Sequence, residues 1–337
     1  MESGFWSKLK KPIMVLAPMA DVTDAAFRRV IAKYGKPDVI WTEFVSADGL
    51  MRATPEGKAK LMRDLIFTEA ERPVVAQFFT SDPEMMEQTA RLAVELGFDG
   101  IDINMGCPDK SIERQKAGAA MIKDPARARE VIRAAKRGAE KADGSGALPV
   151  SVKTRLGFNK NEIETWLPEL LAERPAVITM HARTRKEMSK VAAHWDQIKR
   201  AVEIRNEVQK DIPEGERTLI FGNGDVVDLV DARKKVEETG ADGIMLGRAI
   251  FGNPWLFSNL KNLSESQQIS LEEKLKVMVE HTKLFEELLG DVKNFAIMKK
   301  HYKAYVTGWD GSKELRGKLM EATNAKEVED IVSSFLM

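Results

Sequence analysis

Residues 100–111 read GIDINMGCPDKS, and they contain Cys107, the one cysteine of the 337-residue chain. The run GIDIN (Gly100–Asn104) is short and apolar in character, while the thiol follows it, between a glycine and a proline, where a strand would already have ended. A core cysteine would sit inside the run. Seven further runs of the same kind recur: IMVLA (Ile13–Ala17), VIWTE (Val39–Glu43), VVAQF (Val74–Phe78), PVSVK (Pro149–Lys153), VITMH (Val177–His181), TLIFG (Thr218–Gly222) and GIMLG (Gly243–Gly247). They are continuous rather than alternating, which suits parallel strands buried on both faces.

Helical patterns lie between the runs. Thr23 is placed to cap a helix whose Phe27, Val30, Ile31 and Tyr34 share a face, with Gly35 at its end. Asp82-Pro83 opens a helix closing at Gly97, and Asp124-Pro125 opens one ending near Gly138. A further segment runs from Asp228 to Glu238 and stops at Gly240, and AEKADGSGA before Leu148 reads as a polar loop. Eight strands alternating with helices predict an α/β fold, a (β/α)8 TIM barrel over about residues 12–255. The rival open, doubly wound sheet usually carries a G-x-G-x-x-G turn after its first strand. Here that strand ends in Ala17-Pro18-Met19-Ala20. Gly97-Phe98-Asp99-Gly100-Ile101 before the fourth run is echoed by Gly240-Ala241-Asp242-Gly243-Ile244 before the eighth, although helix-end turns favour Gly and Asp in any case.

Beyond Asn259 the strand-like runs stop. Amphipathic stretches follow at Leu271–Leu289, Val292–Val306 and Ser312–Phe335, so the chain divides into a barrel (residues 1–258) and an all-helical C-terminal domain (residues 259–337). With 43% hydrophobic residues it can bury a large core. No apolar run approaches the roughly 18–20 residues that span a bilayer. The start, MESGFWSKLKKP, does not read as a signal peptide. A single cysteine excludes a disulfide framework and a Cys-cluster zinc site, and a reducing cytoplasm is the expected location. Fifty-two basic and 52 acidic residues cancel, so nucleic-acid binding would have to rest on a local patch.

Active sites of such barrels form at the C-terminal ends of the strands. Those ends deliver Pro18 and Met19, Glu43, Gln77, Asn104, Lys153 with Arg155 beyond, His181 followed by Arg183 and Arg185, Asn223-Gly224-Asp225, and Gly247-Arg248. A polar residue at one strand end is unremarkable, but a ring holding Gln, Asn, Lys, His and Asn reads as functional. FGNGDV and LGRAIFGNP after the last two strands have the small residues and the arginine that suit phosphate binding. Lys153 would face the centre and balance negative charge on a bound ring system. Cys107, over the barrel mouth, fits a nucleophile, a metal ligand or a proton donor, and an inert loop thiol also remains open. Metal ligation is disfavoured without other cysteines. A Cys–His pair with His181 would leave the phosphate-type loops unexplained.

Longer motifs run through these segments in order: APMADVTDAAFR (Ala17–Arg28), TEFVSADGL (Thr42–Leu50), AQFF (Ala76–Phe79), INMGCP (Ile103–Pro108) with GAAM (Gly118–Met121), VKTRLG (Val152–Gly157), HARTR (His181–Arg185), GNGDV (Gly222–Val226) and GRAIFGNPWLF (Gly247–Phe257). Together they resemble the tRNA-dihydrouridine synthase family, with the bacterial B-type nearest through FGNPWLF. The resemblance implies a barrel with tightly bound FMN that reduces the C5–C6 bond of selected uridines in tRNA. NADPH would reduce the flavin, reduced FMN would pass hydride to C6, and Cys107 would protonate C5. By the same resemblance Pro18, Met19 and Ala20 lie against the isoalloxazine, and Gln77 bonds its polar edge. Lys153 sits near its N1/C2 end and His181 beside it. Asn223, Gly224, Asp225, Gly247 and Arg248 hold the phosphate, Asn104 helps hold flavin or uracil, and Arg183 contacts substrate phosphate.

A flipped uridine stacked on the ring is consistent with this chemistry. For the tRNA backbone the tail offers Lys293, Lys299, Lys300, His301 and Lys303, with Lys299, Lys300 and Lys303 at helical spacing, then Lys313, Arg316 and Lys318. Solvated helix faces are the commoner fate of such runs. Lys110, Arg114 and Lys116 form a second basic group beside Cys107. No membrane, metal or obligate protein partner is expected. Two other functions fit parts of the pattern. One is a flavin-dependent barrel oxidoreductase acting on a small molecule, like dihydroorotate dehydrogenase, which would not need the basic tail. The other is a non-enzymatic RNA-binding protein on a barrel scaffold.

Overall fold

The computed structural model describes residues 4–258 and 269–337. Its strands are β1 (Ile13–Leu16), β2 (Ile40–Ser46), β3 (Val74–Phe79), β4 (Gly100–Asn104), β5 (Val150–Arg155), β6 (Val177–His181), β7 (Leu219–Asn223) and β8 (Gly243–Leu246). All eight runs read from the sequence are strands. They form one parallel sheet in the order β1-β8-β7-β6-β5-β4-β3-β2. A parallel bridge between Val15 and Val39 joins β1 to the start of β2 and closes the barrel.

Residue parity along the strands sorts the core in two. Ile13, Val15, Val39, Trp41, Val75, Val177, Phe221 and Met245 pack with one another inside the barrel. Their neighbours, among them Met14, Ile40, Ala76, Ile101, Val152, Ile178 and Ile244, pack outward with the surrounding helices. This is the period-two alternation of a strand with two buried faces. Trp6, on a one-turn helix at Gly4–Lys8, closes the N-terminal end of the interior. It packs against Trp41 (ring centroids 5.9 Å apart) and Phe221 (5.7 Å). The residues left to face the opposite end are the polar ones of the rim.

The five-residue echo marks one kind of joint. Gly97 and Gly240 turn with φ of 77° and 71°. The following aspartates reach back to the preceding strand: Val74 N–H donates to Asp99 Oδ2 and Ile220 N–H to Asp242 Oδ2, each at 2.8 Å. Asp38 does the same for Met14 N–H at 2.7 Å.

The helix starts follow their caps, with one difference. Asp82, Asp124 and Asp228 cap the helices Pro83–Glu95, Pro125–Gly138 and Leu229–Thr239. The helix Ala25–Tyr34 is capped by Asp24 rather than Thr23, whose hydroxyl is taken by the tight turn before it and accepts from Met19 N–H at 2.9 Å. In the tail, helices run Leu271–Leu289, Met298–Tyr305, Ser312–Glu321 and Ala325–Leu336. The stretch expected to be one segment, Ser312–Phe335, is broken at Ala322-Thr323-Asn324 because Asn324 caps the last helix on Glu327 N–H at 2.9 Å. These helices gather a second core of Leu275, Met278, Phe285, Met298, Tyr302, Leu319 and Val328, seated on Ala26 and Val30 of the helix Ala25–Tyr34 and on Trp255. The start of the tail expected at residue 259 lies outside the described residues.

Candidate active site

A cleft of about 250 Å³ opens at the C-terminal end of the barrel, lined by Pro18, Met19, Lys153, His181, Arg183, Asn223, Gly224, Asp225, Gly247 and Arg248. Parity explains its floor. Lys153, His181 and Asn223 occupy inward positions at or near the strand ends, and Lys153 Nζ donates to Asn223 Oδ1 at 3.3 Å. Asn223 in turn donates from Nδ2 to Met245 O at 2.8 Å.

The loops after β7 and β8 form a wall. Gly224 has φ of 130°, and a Cβ there would lie 3.0 Å from Ala193 Cβ and 3.3 Å from His181 Cδ2, so the turn needs glycine. Asp225 follows with φ of 54°. Its carboxylate accepts from Ala193 N–H at 2.9 Å and pairs with Arg183 and, at 2.8 Å, with Arg248. Arg183 is almost fully buried, and its Nε donates to Val191 O at 2.7 Å. Its Nη1 lies 3.2 Å from His181 Nε2. A guanidinium only donates, so this ring nitrogen accepts and the imidazole is neutral, with its proton on Nδ1. Burial and the surrounding Lys153, Arg155, Arg183 and Arg248 hold His181 well below the ordinary histidine range, in agreement. Burial, reinforced by Arg155, brings Lys153 down to about 8. Four cations against one engaged carboxylate, beside a glycine turn, make a cradle suited to a phosphate-bearing anion.

The thiol stands on the neighbouring loop. Asn104 Oδ1 accepts the backbone N–H of Gly106 (3.1 Å) and of Cys107 (2.9 Å). Asn104 Nδ2 donates to Gln77 Oε1 at 3.2 Å, and Gln77 Nε2 donates to Asp102 Oδ2 at 2.5 Å. Ser151 completes the chain at Asp102 Oδ1. Burial raises Asp102 to about 6. From the other side Arg155 Nε donates to Gly106 O at 2.6 Å. Gly118 approaches from below with φ of 60°, and a Cβ there would lie 2.7 Å from Cys107 O. The cysteine's backbone is thus held on three sides. Burial pushes its thiol above the ordinary range.

A family model described as "Dihydrouridine synthase (Dus)" matches residues 15–336. The chain belongs to the dihydrouridine synthase family. It is 39% identical over 337 residues to "Probable tRNA-dihydrouridine synthase 2" of Bacillus subtilis (strain 168), covering 99% of this chain and 97% of that one. It is 36% identical to "Probable tRNA-dihydrouridine synthase" of Staphylococcus aureus (strain MRSA252), covering 99% and 96%. Among solved structures, "Morphinone reductase" aligns with 72% of this chain and 84% of its own, with a TM-score of 0.46 and 13% identity, too loose a likeness to bear on function.

Within this member of the family, the expected cofactor residues Pro18, Met19, Lys153, His181, Asn223, Gly224, Asp225, Gly247 and Arg248 meet in one cleft. Gln77 and Asn104 do not line it; they form the buried support beneath Cys107. Ala20 is exposed at the rim. Arg183 points inward and is committed to Asp225, not outward to solvent. Lys303 is exposed and Lys299 and Lys300 are partly so; none of the three has an ion pair among the described residues. His301 and Lys293 depart from the expected basic face. His301 is fully buried, 4.6 Å from the His281 ring and 5.0 Å from Phe27. Lys293 is inserted between Glu43 and Asp64. Asp102 belongs to no motif of known chemistry, yet an acid inside an apolar run, two residues before Asn104, shares its inward parity.

Proposed function

We propose that this chain reduces the C5–C6 double bond of uridines in tRNA, with FMN held in the cleft and NADPH as the reductant. The observation that carries this reading is Cys107. It is a half-buried thiol whose pKa burial raises, on a loop held by Asn104 and Arg155 and closely approached by Gly118, beside a cation-lined cleft.

The donor set fits the cofactor: the Gly224–Asp225 turn with Arg248 would hold the phosphate, and Lys153 and His181 would lie beside the ring. When bound, reduced FMN supplies the hydride that C6 of the uracil accepts. Every other part falls to the protein. The Cys107 thiol delivers a proton to C5, so the two hydrogens added across the bond are accounted for. Its raised pKa keeps the acid form available at neutral pH. The thiolate left behind is stabilised by Arg155 and Lys153, whose charges favour that form. Solvent protons restore the thiol. Asn104 and Gln77 keep the loop in place, so the sulfur meets a base flipped out of the tRNA. Lys299, Lys300 and Lys303 of the tail, which have no ion pair among the described residues, offer charge to the tRNA backbone. A tRNA substrate and a single free thiol favour a cytoplasmic location, and no helix among the described residues is long and apolar enough to cross a membrane.

The test is to incubate purified protein with unmodified tRNA and NADPH and to assay dihydrouridine by mass spectrometry, with Cys107→Ala alongside. The expected result is a yellow protein that forms dihydrouridine and a variant that stays yellow but loses turnover. A yellow protein inert on tRNA would favour a small-molecule substrate. A protein that cannot take up FMN would end the flavin reading.

A further inference from the structure

We propose that Lys293 is a positioning residue of the active site: reaching from the tail, it holds Glu43, and through Glu43 the Asp21 turn that sets Met19 against the cofactor cleft. The inference rests on the FMN reading above.

The sequence predicts Lys293 on a helical stretch, Val292–Val306, but it lies in GDVKNF, after the helix Leu271–Leu289 and before the short helical turn Phe295–Ile297. Its side chain is only 13% exposed. Lys293 Nζ lies 2.6 Å from Glu43 Oε2 and 2.8 Å from Asp64 Oδ1. Its own backbone N–H donates to Leu289 O at 2.7 Å, which fixes the loop at the end of the helix Leu271–Leu289. Glu43 is buried, and its second oxygen accepts the backbone N–H of Asp21. Asp21 has a left-handed φ of 53° and follows Met19 and Ala20 directly. Met19 lines the cleft.

Two further observations show that the fold is built around this contact. The β2–β3 register slips between Trp41 and Phe44, so three steps on β2 match two on β3. The extra residue falls at Thr42–Glu43. Such bulges re-aim a side chain, and here the re-aimed one is Glu43. Asp24 also lies in this region, fully buried, with Oδ2 lacking a hydrogen-bond partner among the described residues, and Lys293 and Arg28 supply compensating charge. One lysine therefore pairs with two carboxylates, Glu43 and Asp64, and with Arg28 lends charge to a third, Asp24. A mere docking contact would need no buried cluster. The pair Arg63–Asp291, 2.6 Å apart and largely exposed, joins the same two segments without touching Glu43, and supplies a natural control.

The experiment measures FMN dissociation by flavin fluorescence on full-length protein for wild type, Lys293→Met, Lys293→Arg and Arg63→Met. Thermal unfolding serves as the check on folding. Lys293→Met is expected to raise the FMN dissociation constant roughly tenfold or more, the scale of losing a hydrogen bond to a charged group. Lys293→Arg should restore most of it, and Arg63→Met should bind as wild type. Should Lys293→Met not fold, Glu43→Gln gives the second reading: it keeps an acceptor for Asp21 N–H but removes the charge, and FMN should again bind more weakly. Unchanged FMN affinity in Lys293→Met with weaker tRNA binding would make Lys293 an RNA contact and overturn the proposal. An equal loss in Arg63→Met would reduce it to general tail docking. A wild type that binds no FMN fails at the earlier step, before the variants are compared.

Discussion

Acid should loosen the seat of the tail through two histidines. His281 and His301 are both fully buried where the helices Leu271–Leu289 and Met298–Tyr305 meet Phe27 of the barrel. Among the described residues, none of their four ring nitrogens has a hydrogen-bond partner. Burial brings His281 down to about 3 and holds His301 well below its ordinary range, with Lys300 and the neighbouring ring adding to the effect. The sign follows directly. Below the unfolded pKa of about 6.5 the unfolded chain binds a proton at each site and the folded chain does not, so stability falls as pH falls. Each group costs about 1.4 kcal/mol per pH unit, hence about 2 kcal/mol at pH 5, and about 4 kcal/mol for the pair. Against a typical total of about 5–15 kcal/mol this is large.

Other groups pull the opposite way. Burial and neighbouring carboxylates push Glu43 up to about 7 despite Lys293, and burial alone raises Asp102 to about 6, so both favour the folded state as pH drops. The histidine contribution is therefore read by difference. Urea unfolding of the full chain is followed at pH 7.5 and pH 5 for wild type and for His281→Leu/His301→Leu. The double variant should lose about 4 kcal/mol less than wild type between the two pH values. At pH 7.5 it should be close to wild type, since leucine removes polar atoms that have no partner. Equal pH dependence in the two proteins would refute the reasoning. So would a collapse of the variant at pH 7.5, which would mean that the rings make hydrogen bonds inside the folded chain.

Three predictions concern the thiol loop. With Cys107 raised by burial, turnover should hold through neutral pH and decline only on the alkaline side of the free-thiol range; a pH profile falling near 7 would contradict the assignment of the acid. Gly118→Ala should cost about 1–2 kcal/mol of stability through its left-handed backbone, and because the new methyl would press on Cys107 O it should lower kcat while leaving FMN affinity intact. Asn104→Ala frees two backbone N–H groups of the same loop and should lower kcat by on the order of tenfold, measured as dihydrouridine formed per enzyme; unchanged kcat would show that the loop holds itself.

The barrel was legible because both faces of each strand are buried, which leaves continuous apolar runs such as IMVL and VVAQFF. The rim was legible because parity puts Lys153, His181 and Asn223 on the inner face at the same end. What the sequence hid was the use of residues far apart along the chain. Lys293 looked like part of a basic face because its partner Glu43 is 250 positions away. His301 shared that fate, lying within a lysine-rich stretch yet on the face the helix buries. Thr23 and Asp24 are both good caps, and only the turn at Met19 decides between them. Trp6 sits before the first strand in a stretch with no periodic signal, so nothing marked it as the plug of the barrel.

The balanced net charge takes on a different meaning once the charges are located. Cations converge where the proposed phosphate would sit, with Lys153, Arg155, Arg183 and Arg248 around the cleft and Asp225 already engaged. Acids converge at the seat of the tail, with Asp24, Glu43 and Asp64 around Lys293. Moving Lys293 from the exposed set to the buried one reduces the tail's free charge to Lys299, Lys300, Lys303 and their neighbours, and it changes what their removal should do. A lysine in contact with RNA gives binding that weakens steeply with salt, and its loss lowers that slope. A lysine buried among carboxylates gives an effect on the cofactor that salt barely alters, because buried pairs are poorly screened. Salt titration of tRNA binding for Lys303→Ala, set beside that of FMN binding for Lys293→Met, therefore separates the two uses of the same residue type in one tail.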